Sequence, residues 1–179
     1  MTAYGNSDAP FVLIQIVDDH DFACMESEAA EIRRLAGDDF YLIALKAASW
    51  NADLSPWPAD AVFGKEKFGN GAAATLAEVL RYTADASKTY CIGGYSLAGL
   101  FALWAACQTD VFRGVAAASP SLWFPGFLEY MRNNKMYAGS VYLSLGDKEE
   151  KTRNPVMATV GDRIREAHAI LKEQGINTV

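Results

Sequence analysis

At 179 residues the chain has the length of one domain, enough to bury about 70% of the surface its unfolded form exposes. It is 51% hydrophobic and 21% charged, with a net charge of −6; this acidity argues against a nucleic-acid groove or an anionic-membrane surface, both of which need clustered Lys and Arg. The start MTAYGNSDAP has no basic leader region, and the longest apolar stretch, 97–107, is too short to cross a bilayer, so the expectation is one cytoplasmic domain over 1–179 with a poorly ordered segment at 1–10.

Along the chain, 11–17 (FVLIQIV) is almost continuously apolar and runs into DDHD, as a strand buried on both faces does where it leaves a sheet. Phe22, Met25, Ala29, Ile32 and Leu35 then recur at helical spacing up to Gly37, with Asp21 as the expected helix cap. A second buried strand, 40–45 (FYLIAL), precedes a Trp-, Pro- and Gly-rich loop over 46–71, a length associated with function. The pattern continues with a helix over 72–82, a strand over 89–93, a helix over 97–107 that is apolar nearly all round, and a strand over 115–118. After SPSLWFPG come a short helix near 127–131, a strand over 140–145 and the charged loop GDKEEKTRNP. Val160, Ile164, Ala167, His168 and Leu171 line a last helical face that Gly175 terminates, and INTV begins a strand. This alternation predicts an α/β fold: a predominantly parallel sheet of about six strands with helices on both faces and right-handed crossovers. Cys24, Cys91 and Cys107 are odd in number and widely spaced, the pattern of free buried thiols in a reducing compartment rather than of disulfides or a zinc site. No cofactor and no metal is expected.

In such a sheet, chemistry collects at the carboxyl ends of the strands, and three loops there stand out: DDHD, GYSLAG and GDKEE. Ser96 in Gly94-Tyr95-Ser96-Leu97-Ala98-Gly99 has a strand before it, a helix after it and small flanks, the context of a nucleophile elbow. The bland alternative is a serine that caps a buried helix. For an elbow, one oxyanion-hole donor is the N–H of Leu97 and a second comes from the 18–20 loop around Asp19. A carboxylate to orient a base is available in LGDKEEKT, downstream of the serine.

The segments DLSPWP (53–58), FGNGA, GGYSLAGLFALWA, SPSLWF (119–124) and SLGDKEE, in this order along the chain, resemble the enterochelin-esterase-like group of serine esterases in the α/β-hydrolase superfamily, over nearly the whole chain. The resemblance implies an acyl-enzyme mechanism and puts the triad acid three residues after the strand-ending glycine, on Glu149, with Asp147 and Glu150 as rivals. It also implies that Trp50, Trp57 and Trp123 line the substrate pocket, where Tyr95 joins them. That group carries its catalytic histidine in a loop after the last strand, beyond a segment matching INTV, where this sequence ends; it also has antiparallel strands before the segment matching Phe11. The expectation is therefore a fold truncated at both ends. Of the two histidines, His168 reads as packing, whereas the resemblance puts His20 on the active-site side, as a residue of the pocket or oxyanion loop or as a replacement for the missing base; a plain surface histidine is the alternative. The functional expectation is a carboxylic-ester hydrolase acting on a small-molecule ester through Ser96, impaired by the absent histidine. The alternative is a non-catalytic binding protein or a truncated, inactive esterase of the same fold. Neither nucleic acid nor membrane is an expected partner; an exposed sheet edge leaves a homodimer open.

Overall fold

A computed structural model of the chain describes residues 1–62 and 64–179. The strands are β1 (Thr2–Gly5), β2 (Phe11–Val17), β3 (Phe40–Lys46), β4 (Thr89–Tyr95), β5 (Phe112–Ala118), β6 (Ser140–Ser144) and β7 (Asn177–Thr178). The helices are α1 (Asp19–Ala36), α2 (Trp50–Leu54), α3 (Ala72–Leu80), α4 (Leu97–Gln108), α5 (Phe127–Asn133) and α6 (Val160–Glu173). The strands form one sheet in the order β1-β3-β2-β4-β5-β6-β7, parallel except for β1, which runs antiparallel to β3.

The pleat of β2 and β3 divides the core. Val12, Ile14, Ile16, Ile43 and Leu45 face the larger apolar cluster with α2 to α6, while Val17, Phe40, Leu42 and Ala44 face a smaller one with Met25 and Ala29 of α1. Helices therefore cover both faces unequally. α4 lies at the centre of the thicker layer, with every residue from Leu97 to Ala106 buried, which is why its sequence has no polar stripe. The chain moves from β2 to β3 on one side and then crosses to β4 on the other. That reversal opens a crevice at the carboxyl ends of β2 and β4.

Several expectations change. The predominantly parallel sheet is as expected, with seven strands among the described residues; residues 2–5 form its edge strand, registered Thr2↔Ala44 to Gly5↔Tyr41, so the first ten residues are not a loose tail. The cap of α1 is Asp18, whose carboxylate accepts the Asp21 N–H at 2.7 Å; Asp21 supplies the N–H, not the cap. Leu35 is 71% exposed because it falls on the outer side of the last turn of α1. Cys24 is exposed rather than buried. The 46–71 loop contains α2, held by close backbone packing: a Cβ on Gly69 or Gly71 would come 2.7 Å from Ala52 backbone atoms. No helix among the described residues is long and apolar enough to cross a membrane.

Candidate active site

At the end of β4 the chain turns sharply into α4 through Ser96, whose φ of 56° and ψ of −118° are unfavourable for a residue with a Cβ. Among the described residues, Ser96 and Ser119 are the two non-glycine positions with positive φ. Such strain costs on the order of 1–3 kcal/mol per residue and persists only where the surroundings over-determine it. Here they do. The Ser96 N–H donates to the Ala118 carbonyl at 2.9 Å, and the Ser96 carbonyl accepts the N–H groups of Ser121 at 3.0 Å and Leu100 at 3.1 Å. Gly94 is required by the tightness of the turn, since a Cβ there would lie 2.6 Å from that of Ala98.

Although Ser96 precedes α4, its side chain makes no capping bond. Its hydroxyl instead pairs with that of Ser121, Oγ to Oγ 3.1 Å, and borders a cavity of about 260 Å3. Leu97 opens α4 and is 2% exposed; first-turn N–H groups have no intrahelical acceptor and face outward as donors for an anion.

The same cavity is bordered by Glu149, Lys148, Trp123 and Tyr95. Glu149 begins a short 3-10 turn, Glu149–Lys151, and its N–H donates to the Gly146 carbonyl at 3.1 Å. The turn folds the side chain back so that Oε1 accepts the Ser119 hydroxyl at 2.6 Å, a short charge-assisted bond. The Gly146 N–H in turn points at Ser119 Oγ, 3.4 Å away. Tyr95 is 49% exposed; partial burial raises its phenol above the usual tyrosine range, helped by the Glu149 and Asp21 carboxylates.

The rival carboxylates lie elsewhere. Glu150 points to α6, where Oε2 pairs with Arg165 at 3.3 Å, and Asp147 is exposed and does not border the cavity. Neither histidine borders it: His20 is exposed in the first turn of α1 and His168 is half-buried on α6. Asp19 sits in that same first turn, ion-paired with Lys46. Of the three tryptophans, Trp123 borders the cavity. Trp57 packs against Phe124, Phe127 and Tyr130 with ring centroids 5.5–6.2 Å away and donates its Nε1–H to the Pro125 carbonyl, while Trp50 starts α2 against the main core. Ser119 and Ser121 went unread as site residues; their signal was the S-P-S spacing directly after a strand. Among the described residues no three metal-binding side chains cluster.

No family model matches the sequence, and no curated protein matches it. Solved structures do match in shape. A siderophore hydrolase, EstA from Aspergillus nidulans, superposes with a TM-score of 0.70 at 18% identity, covering 98% of this chain and 77% of its own. Esterase PE8 gives 0.59 at 16% identity, covering 100% and 87%. Brefeldin A esterase, described as a bacterial homologue of human hormone-sensitive lipase, gives 0.58 at 12% identity, covering 99% and 62%. The chain has the α/β-hydrolase fold.

Proposed function

We propose that the chain is a serine hydrolase of carboxylic esters with Ser96 as nucleophile. The observation that carries this reading is the strained elbow, which costs stability and leaves the Ser96 hydroxyl on a cavity instead of capping α4. Similar structures bearing the names siderophore hydrolase and esterase support ester bonds of small molecules as the substrate class. In the reaction, Ser96 Oγ attacks the ester carbonyl carbon and the Leu97 N–H, with an N–H near Asp19, stabilises the oxyanion. Collapse of the tetrahedral species expels the alcohol and leaves an acyl-serine that water cleaves.

The Ser96 proton needs an acceptor, and Glu149 is the carboxylate on the cavity. A carboxylate is a weaker base than imidazole at neutral pH, so turnover is slow by the standard of complete triads; with an imidazole present, Glu149 takes the orienting role instead. A fluorophosphonate should add to Ser96, visible as a mass increase on the intact chain, and Ser96→Ala should abolish the adduct. No adduct on the parent protein rejects the nucleophile.

The lack of a histidine on the cavity favours a second reading, a binding protein of hydrolase fold that holds esters without cleaving them. Ester turnover that disappears in Ser96→Ala excludes it. The unpaired cysteines support a reducing, cytoplasmic setting, and the outer edge of β7 is the surface through which a homodimer would form, which sedimentation of the purified chain decides.

A further inference from the structure

The turn that follows β5 touches both halves of the site. Ser119 has a φ of 43° and is 8% exposed, and Ser121 is 1% exposed. Buried hydroxyls are costly unless bonded, and each of these is bonded to one site residue: Ser121 Oγ lies 3.1 Å from Ser96 Oγ, and Ser119 Oγ lies 2.6 Å from Glu149 Oε1. The backbone of the same turn is tied to the elbow and to β6. Ser121 N–H donates to the Ser96 carbonyl at 3.0 Å, and Ser119 N–H to the Ser144 carbonyl at 2.9 Å. Between the two serines, Pro120 sits so close to α4 that a Cβ on Gly99 would lie 3.3 Å from its Cα. The turn therefore cannot shift relative to the elbow without breaking several contacts at once.

We propose that Ser119 and Ser121 are positioning residues: Ser121 fixes the orientation of the Ser96 hydroxyl, and Ser119 fixes the Glu149 carboxylate on the same cavity. Neither needs to touch the substrate. Ser121 restrains a hydroxyl that is otherwise free to rotate among three staggered positions, and Ser119 restrains a three-bond side chain whose own entropy opposes a single orientation. The inference rests on the nucleophile reading of Ser96 but is judged partly without it.

The experiment compares fluorophosphonate labelling rates and melting temperatures of the parent, Ser121→Ala, Ser121→Cys and Ser119→Ala. Cysteine fills the place of the serine but bonds weakly through sulfur. Ser121→Ala and Ser121→Cys should both label about three- to tenfold more slowly, as expected for loss of one hydrogen bond, with Ser121→Cys melting like the parent. Ser119→Ala should slow labelling by about tenfold. Labelling within twofold of the parent in all three variants overturns the proposal. If the parent itself does not label, the nucleophile reading fails, and crystal structures of parent and Ser121→Ala still decide the positioning. A Ser96 hydroxyl that leaves its orientation in the variant supports the proposal, and one that keeps it overturns it.

Discussion

Gly146→Ala separates the site from the fold. Gly146 is exposed and its φ is not positive, so alanine adopts its backbone without strain. The added Cβ, however, would sit 2.7 Å from Glu149 Oε1 and 3.2 Å from Glu149 Cγ. Restoring ordinary contact moves the carboxylate by about 0.5 Å or more, which stretches the 2.6 Å bond from Ser119 beyond the range of a strong O–H···O⁻ interaction. Hydrogen bonds to charged groups contribute about 1.5–3 kcal/mol; because Glu149 is half-buried, the lower end applies, about a tenfold loss in the rate of any step that uses the carboxylate. Stability should change little: the roughly 0.4–1 kcal/mol that Gly→Ala gains through the unfolded state offsets most of the weakened bond, leaving a net fall of no more than about 1–4 °C in a domain of this size. The assay is the labelling rate of Ser96 by a fluorophosphonate alongside scanning calorimetry. Gly139→Ala, whose Cβ would have its nearest neighbour at 3.9 Å, serves as control. Parental labelling by Gly146→Ala, or a drop in Tm of more than about 5 °C, refutes the argument.

The elbow itself is tested by Gly94→Ala. The new Cβ meets Ala98 Cβ at 2.6 Å and Ala98 C at 2.9 Å, and overpacking of this kind costs about 1–3 kcal/mol. Adding Ala98→Gly should recover part of the loss in urea melts, and independent, additive effects would contradict the contact. At alkaline pH, burial pushes the Cys107 thiol up to about 12, so its stabilising contribution is whole below the unfolded thiol pKa near 9 and is lost as pH rises from there toward 12. The slope is about 1.4 kcal/mol per pH unit, and Cys107→Ala should flatten unfolding free energy against pH across that window. Cys24 is exposed while burial raises both Cys91 and Cys107. One thiol should therefore react rapidly with a disulfide reagent at pH 8, and a fast phase that survives Cys24→Ser would show the assignment to be wrong.

What could be read from the sequence was local. The run 11–17 and the helix-to-strand alternation carry their own period, and β2 begins and ends where the apolar run does. The elbow was legible for the same reason, because strand, glycine, serine and helix are contiguous. β1 escaped because four residues ending in glycine carry no period, and its pairing with β3 joins segments nearly forty residues apart. α2 escaped because five residues make little more than one turn, and its stability comes from Gly69 and Gly71 closing on Ala52. The side-chain bonds of the site span 25 and 30 positions. No motif in one segment announces such a partner in another, so the S-P-S spacing after a strand marks Ser119 and Ser121 without revealing what they bond. The three neighbouring carboxylates were likewise not separable by composition; the 3-10 turn turns Glu149 inward, and Arg165 draws Glu150 outward.

The two strained serines lie on either side of one backbone bond, from Ser96 N–H to the carbonyl of Ala118, the residue preceding Ser119. Glycine at either place would remove the strain, and the chain uses glycine freely at Gly5, Gly37, Gly126 and Gly175 where the same φ sign occurs. What glycine would not supply is a hydroxyl. At Ser96 that hydroxyl meets Ser121, and at Ser119 it meets Glu149, so each strained position has a side chain whose bond depends on the unusual backbone that presents it. Strain, burial and hydrogen bonding thus converge on the same few side chains around one cavity, which supports the proposal that Ser96 is the nucleophile.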